Sequence, residues 1–148
     1  MSNHSRRFGA VALLALLVAA ACQASPGGSG TPSTDLAGPT WQWTASQETT
    51  PARQSVTPDP ENYTIRFATD GTVAIKADCN NVSGTYTVGV PLDLTITLGP
   101  STLAACGEDS LGAIYLDMLT KVASYSTANG QLNLEFADGA GAMQFRAA

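Results

Sequence analysis

The sequence predicts a mainly β fold, an antiparallel, barrel-like sheet of about eight strands with one packed α-helix. Short apolar runs alternate with period two, which is typical of strands that bury one face. Turn signals rich in Gly, Pro, Asn and Asp separate these runs. A single stretch between Leu111 and Val122 instead has its apolar residues at helical spacing, and acidic residues at its N-terminal end favour a helix there.

The first predicted strand contains Trp41 and Trp43. These residues are two positions apart and share one strand face, so we expect them in the core rather than on an exposed binding platform. The following segment, 46–61, holds three prolines and few apolar residues, which predicts a long loop. Long loops are often functional, and we interpret 46–61 as a candidate partner-contact region.

Two alternating runs predict a hairpin around Gly71. A two-residue loop would place Lys76 opposite Ile65, which puts a charge on the apolar face. A three-residue loop, 69–71, instead pairs Ile65 with Ile75 and gives Gly71 the left-handed position of a type I turn with a G1 bulge. The apolar register therefore favours the bulged turn.

Later strands follow the same logic. Two runs with threonines on the opposite face are separated by Gly89 and Pro91; their apolar positions are Tyr86, Val88 and Val90, then Leu92, Leu94, Ile96 and Leu98. After the helix, Asn129-Gly130 predicts a type I′ turn. That turn pairs Tyr125 with Leu134 and Ala123 with Phe136. Met143 and Phe145 mark the last strand.

The N-terminus predicts export. Residues 1–21 combine two arginines with a 14-residue apolar run, which is too short to span a membrane and is typical of a signal peptide. Small residues then lead to Cys22, as in a lipobox, where the peptidase cuts before the cysteine and the sulfur carries diacylglycerol. Residues 22–35 predict a flexible Ser/Gly/Pro/Thr tether, and 36–148 a globular domain. Ordinary secretion, with cleavage after an alanine, is the alternative.

Removal of residues 1–21 would take away the only histidine, His4, and leave five Lys and Arg against twelve Asp and Glu. A domain this acidic is a poor candidate for nucleic acid, because phosphate binding requires a basic face. Membrane attachment would come from the acyl chains rather than from charge. We therefore expect a monomeric domain in the cell envelope, lipid-anchored and facing the extracytoplasmic side, with an envelope protein as its possible partner.

The cysteines support the same location. With Cys22 lipidated, Cys79 and Cys106 remain as a pair in an oxidising compartment, where disulfides persist. Zinc ligation is the alternative, but zinc would need four N/S ligands and the exported chain offers no histidine or further cysteine. We predict a disulfide, with no metal and no cofactor.

Several short segments occur in a characteristic order. They are Leu36-Ala37-Gly38 with Trp41, Ile65-Arg66-Phe67 with Asp70-Gly71 and Val73, Asp78-Cys79-Asn80, Ser83-Gly84-Thr85-Tyr86, and Ser101-Thr102-Leu103-Ala104-Ala105-Cys106. Together they resemble the META domain family, which includes a heat-shock-associated bacterial lipoprotein. Asp78 departs from the glycine usual before Cys79, and an additional alanine separates Leu103 from Cys106. The resemblance implies a compact barrel-like sheet with a packed helix and no established activity.

Catalysis is not predicted. Without histidine, the exported chain has no Ser-His-Asp or Cys-His arrangement and no default general base near neutral pH. We interpret the candidate carboxylates as solvated surface or helix-end charges, and Asn80 as a turn residue. Those carboxylates are Asp78, Asp93, Glu108, Asp109 and Asp117.

Two classes of function remain. The first is a non-catalytic envelope lipoprotein that acts by protein contact or in envelope stress tolerance. The second is a small-ligand carrier of the lipocalin-like barrel type, or a carboxylate-dependent hydrolase. A packed interior favours the first class because it leaves no ligand cavity. The residues expected to fill it are Phe67, Ile75, Leu94, Leu134 and Phe145.

Overall fold

The computed structural model describes residues 36–148, which form one curled antiparallel sheet of nine strands and, within this range, one α-helix. The predicted signal peptide, Cys22 and tether lie outside the described residues. The strands are β1 Thr40–Thr49, β2 Ala52–Val56, β3 Tyr63–Phe67, β4 Thr72–Ala77, β5 Asn80–Val88, β6 Leu94–Ser101, β7 Val122–Ala128, β8 Gln131–Phe136 and β9 Gly141–Ala147. Helix α1 spans Gly112–Thr120. The predicted mainly β class with one packed helix is confirmed.

The sheet curls until its two edge strands approach each other. Its order is β6-β5-β4-β3-β1-β9-β8-β7, and β2 lies off this path, paired with β1. At one end the edges meet, where Asp93 and Ser124 form an isolated antiparallel bridge and Tyr125 N–H donates to the Leu92 carbonyl at 3.1 Å. The result is a barrel-like shell, and α1 lies in the connection from β6 to β7. No helix in residues 36–148 has the length and apolar character needed to cross a bilayer.

The interior of this shell is filled by side chains. The predicted interior positions are confirmed: Phe67, Ile75, Leu94, Leu134 and Phe145 are all buried. Both tryptophans are buried as well, which confirms their core assignment.

An aromatic cluster forms the centre of this interior. Trp43 stacks on Tyr115 with ring centroids 5.2 Å apart and meets Tyr63 edge-on at 5.8 Å. Burial raises the pKa of Tyr115 well above its ordinary value, and its hydroxyl has no hydrogen-bond partner among the described residues. The cluster is therefore a packed core rather than a lining for solvent.

Both predicted hairpins form, one with a shifted register. Ile65 pairs with Ile75, and Gly71 has a left-handed φ of 86°, as the bulged turn requires. Tyr125 pairs with Leu134 as predicted. The pairing of Ala123 with Phe136 is wrong, because the register shifts between Val122 and Ser124 and places Val122 opposite Phe136.

The predicted long loop, 46–61, is wrong in most of its length. β1 continues to Thr49, and β2 pairs with it in register from Ala52 opposite Thr49 to Val56 opposite Ala45. All five residues of β2 are exposed, so the strand has no buried face to produce an apolar alternation. The chain then forms a short 3-10 turn at Pro60–Asn62.

Two other apolar patterns end earlier than predicted. Val90 and Leu92 are exposed because β5 ends at Val88 and β6 begins at Leu94. In α1, Ile114 is half exposed, whereas Tyr115, Met118 and Leu119 are buried. The helix contains only nine residues, so Leu111 and Val122 of the predicted apolar stripe lie outside it.

The hairpin turn at Asp70 makes a testable electrostatic prediction. The Thr72 hydroxyl donates to Asp70 Oδ1 at 2.6 Å and the Thr72 backbone N–H at 3.0 Å, and together they lower the pKa of this carboxyl. A lowered pKa in the folded state stabilises the fold above the unfolded-state pKa, and this contribution is lost as pH falls through the folded-state value.

Thr72→Val removes the hydroxyl donor and keeps a β-branched side chain. We expect the pKa of Asp70 to rise in this variant, as measured by NMR titration of its carboxyl carbon. Thr95→Val, on another exposed strand position, is the matched control and should leave that pKa unchanged. An unaltered titration of Asp70 in Thr72→Val would show that the hydroxyl bond does not form in solution.

A disulfide-braced loop as candidate functional site

The segment after β6 is fixed to the sheet by a disulfide. Cys79 lies in the tight turn between β4 and β5, and Cys106 lies in the irregular segment that leads to α1. Their sulfurs are bonded at 1.97 Å, with Cα atoms 5.7 Å apart. The bond therefore joins the β4–β5 hairpin to the connection that carries α1.

Asn80 is a second brace, made of hydrogen bonds. Its Nδ2 donates to the Ala104 carbonyl at 3.0 Å, and its Oδ1 accepts the Ala104 N–H at 2.8 Å and the Thr102 hydroxyl at 3.0 Å. The carboxamide thus satisfies both backbone groups of Ala104, as a neighbouring strand would. Our interpretation of Asn80 as a turn residue is wrong: it opens β5 and holds the loop.

Asp78 occupies a backbone conformation that explains the departure noted in the sequence. Its φ is 59°, in the left-handed region where glycine has no steric penalty. A glycine before Cys79 would suit this turn better than aspartate. The chain tolerates Asp78 because aspartate is among the residues that enter this region most readily.

The two braces hold an apolar side chain in solvent. Leu103 is 94% exposed, although its neighbours Thr102 and Ala104 both bond to Asn80 and the disulfide follows at Cys106. Beside it, the loop and α1 form the walls of a surface concavity of about 340 Å³. Its apolar walls are Leu103, Ala104, Ala113 and Leu116, here called the loop–helix patch, and Ser101, Thr102 and Ser110 lie at its polar rim.

The model of the META domain matches residues 34–148, which is most of the chain. The chain belongs to the META domain family. No curated protein matches its sequence.

Solved structures share the fold of this META domain. An NMR structure of a protein from Burkholderia xenovorans aligns with a TM-score of 0.61 and 19% identity, covering 85% of this chain and 96% of that one. A crystal structure of a DUF4847 family protein from Bacteroides vulgatus ATCC 8482 aligns with a TM-score of 0.57 and 15% identity, covering 75% and 93%. At these identities the similarity concerns the fold alone.

The candidate carboxylates of the META domain are dispersed. Asp117 pairs with Lys121, the residue directly after α1, at 2.6 Å, and this hydrogen bond raises the pKa of Lys121. Asp78 lies in the β4–β5 turn, Asp93 lies at the meeting of the sheet edges, and Glu108 and Asp109 follow the disulfide. Within residues 36–148, no three His, Cys, Asp or Glu side chains come together as a metal site would require.

The concavities of the META domain belong to its outer surface. Two of them, of about 680 Å³ and 560 Å³, are lined mainly by outward-facing residues of β3–β6, and another of about 580 Å³ lies near the end of β8. The core side chains described above occupy the shell itself. An interior packed in this way favours a contact surface over a barrel-type carrier.

Asn80→Ala is expected to destabilise the domain by about 1–2 kcal/mol, because it removes the hydrogen bonds to Thr102 and Ala104, for which water can substitute only in part at this exposed loop. Chemical denaturation of the folded chain measures this loss. Asn81→Ala is the matched control: Asn81 is exposed, its bond to Thr102 uses the backbone N–H, and we expect a change within about 0.5 kcal/mol. Equal losses in the two variants would contradict the bracing role of Asn80.

Proposed function

We propose that this chain is an exported, lipid-anchored cell-envelope protein whose META domain is non-catalytic, acts by protein contact and supports envelope stress tolerance. Residues 1–21 would be removed as the signal peptide, and Cys22 would carry the lipid. The apolar run, the small residues before Cys22 and the acidic domain support this location. The loop–helix patch supports contact as the mode of action.

The observation that carries the proposal is the fixed exposure of Leu103. An exposed leucine on a mobile loop would need no explanation, because single apolar side chains are common on protein surfaces. Here one covalent bond and the Asn80 hydrogen bonds fix the loop on both sides of that leucine. Ordering is thus already complete before a partner arrives, which lowers the entropic cost of binding.

The surroundings of Leu103 suit a protein partner. The loop–helix patch continues from the loop onto α1, and hydroxyl groups of Ser101, Thr102 and Ser110 rim it. An apolar centre with a polar rim is the usual arrangement of a protein interaction site.

The tether sets where such a partner would be found. Fourteen residues, 22–35, separate the proposed lipid from the domain. A flexible chain of this length has an r.m.s. span of about 20 Å and reaches at most about 50 Å when extended. The partner would therefore lie in the membrane or within this distance of it.

Site-specific crosslinking in the native envelope tests the contact. A photoreactive side chain at position 103 of the full chain should yield a discrete crosslinked protein, and the same probe at Gln54 on exposed β2 is the control. The Asn80→Ala background should weaken the crosslink at position 103. Products from Gln54 alone would transfer the contact to the 46–61 segment, and identical products from both positions would refute a specific loop–helix contact.

Intact-mass measurement tests the anchor separately. We expect the purified chain to begin at Cys22, to carry the mass of a diacylglycerol group and to remain with the membrane fraction. Cys22→Ser should release an unacylated chain. A wild-type protein that is unacylated and begins after one of the alanines would show ordinary secretion instead.

A further inference from the structure

The outer face of the sheet carries an open groove without acidic side chains. It crosses β3, β4, β5 and β6 and has a volume of about 680 Å³, and a second depression of about 560 Å³ continues it. The two share Arg66, Ala74, Ser83 and Pro100 in their walls. The remaining polar groups are mostly hydroxyls and amides, and no Asp or Glu lines either part.

This composition contrasts with the charge of the domain. Of the chain's twelve acidic residues, all but Asp35 lie in 36–148, together with five of its seven basic residues. Two of those five, Arg66 and Lys76, lie in the groove. The ion pair formed within the described residues joins Lys121 to Asp117 at the end of α1, so neither Arg66 nor Lys76 is paired with a carboxylate there.

Strand register places the two cations side by side. Lys76 lies opposite Thr64, and Arg66 follows Thr64 by two residues on the same strand face. Diagonal neighbours of this kind have their Cα atoms about 7–8 Å apart. Arg66 and Lys76 therefore lie as diagonal neighbours on one face of the sheet, and their charged ends reach toward opposite ends of β3.

Neutral acceptors orient both cations. Lys76 Nζ donates to the Glu61 carbonyl at 3.2 Å and to Asn62 Oδ1 at 2.9 Å. Glu61 thus approaches the ammonium through its backbone. Arg66 Nε donates to the Gly38 carbonyl at 3.1 Å. One ammonium hydrogen and the terminal guanidinium nitrogens remain available for an anion, and the guanidinium can bind a carboxylate or phosphate with two parallel bonds.

From these features we infer that the groove binds an anionic polysaccharide of the cell surface. The groove is shallow and continues across four strands, so it would bury one side of a linear chain rather than enclose a small molecule. Anionic groups of the polymer pair with Arg66 and Lys76, and the hydroxyl and amide side chains, such as Thr64, Asn81 and Ser101, bond to sugar hydroxyls. This inference rests on the proposed function in one respect: the envelope location is what would bring the domain to such a polysaccharide.

The groove and the loop–helix patch are adjacent but separate. They share Ser101 and Thr102, and their charged and apolar centres do not overlap. Polysaccharide binding and protein contact can therefore be lost independently, and failure of one leaves the other standing.

Binding of the full-length purified chain to three dextrans tests the inference: neutral dextran, carboxymethyl-dextran and dextran phosphate. We expect binding to at least one anionic dextran, none to neutral dextran, and weakening with added salt. Arg66→Gln with Lys76→Gln should reduce affinity by about tenfold or more, as expected for loss of charge-assisted hydrogen bonds. Preference between the two anionic dextrans distinguishes carboxylate from phosphate as the recognised group.

The matched control is Arg53→Gln with Arg146→Gln, which removes the same charge from exposed positions outside the groove. We expect its affinity to stay within about twofold of the unsubstituted chain. Equal losses of affinity in the two double variants would show that net charge alone explains the binding, and would contradict a binding site in the groove. Absence of binding to either anionic dextran, or tighter binding to single-stranded DNA than to both, would also overturn it.

Discussion

Joint replacement of Cys79 and Cys106 by serine is expected to lower the free energy of unfolding by about 3–4 kcal/mol. The two residues are 27 positions apart, and cross-linking a loop of this length removes that much chain entropy from the unfolded state. The bond also joins the β4–β5 turn to the segment that carries α1, so its loss affects the candidate contact site directly. Urea denaturation of oxidised chains, all carrying Cys22→Ser to exclude a third thiol, measures the difference.

Two comparisons separate the bond from the side chains. Reduction of the unsubstituted pair with dithiothreitol should give the same loss as the double substitution, because both remove the cross-link. Amide hydrogen exchange should become faster mainly in residues 101–110, which the disulfide holds against the sheet. The increase should stay local because the Asn80 hydrogen bonds to Ala104 remain. A loss below about 1 kcal/mol would show that the unfolded chain keeps these segments close without the bond.

Hairpins were predictable where apolar register and turn chemistry agree. At Gly71 the alternative loop would have placed a lysine opposite isoleucine, so one register was clearly better, and the structure has it. At Asn129-Gly130 the turn was equally well determined. The bulge near Ala123 was not, because an additional residue in a strand leaves the turn chemistry unchanged and alters only the pairing beyond it.

The arm formed by the end of β1 and by β2 could not be predicted from apolar alternation. β2 has both faces in solvent, and its stability comes from backbone pairing to β1 rather than from burial. Its composition is therefore that of a loop. Three prolines in 46–61 strengthened that interpretation, although they flank β2 instead of interrupting it.

The braces and the groove depend on contacts between residues far apart in the chain. Asn80 reaches Ala104 across 24 positions, and a single sequence gives no sign of that partner. The order of the Cys-Asn and Ser-Thr-Leu-Ala-Ala-Cys segments was the available signal, because it resembled a family pattern without revealing what the asparagine does. Arg66 and Lys76 become neighbours only through the β3–β4 register. The net charge predicts an acidic domain and gives no sign of a groove lined by two basic residues and no acidic ones.

Trp43→Ala is expected to lower the free energy of unfolding by about 3–5 kcal/mol, because it opens a cavity where the indole stacks on Tyr115 and meets Tyr63 edge-on. The indole N–H also donates to the Ala45 carbonyl at 2.9 Å. Trp43→Phe keeps an aromatic ring and should lose less, and Thr95→Ala, on an exposed strand position, should change stability by about 0.5 kcal/mol or less. Urea denaturation ranks the three variants. A tightly packed interior requires that order. A loss below about 1 kcal/mol for Trp43→Ala would instead mean that the shell has room around the indole. The small-ligand carrier would then be the better interpretation of this fold.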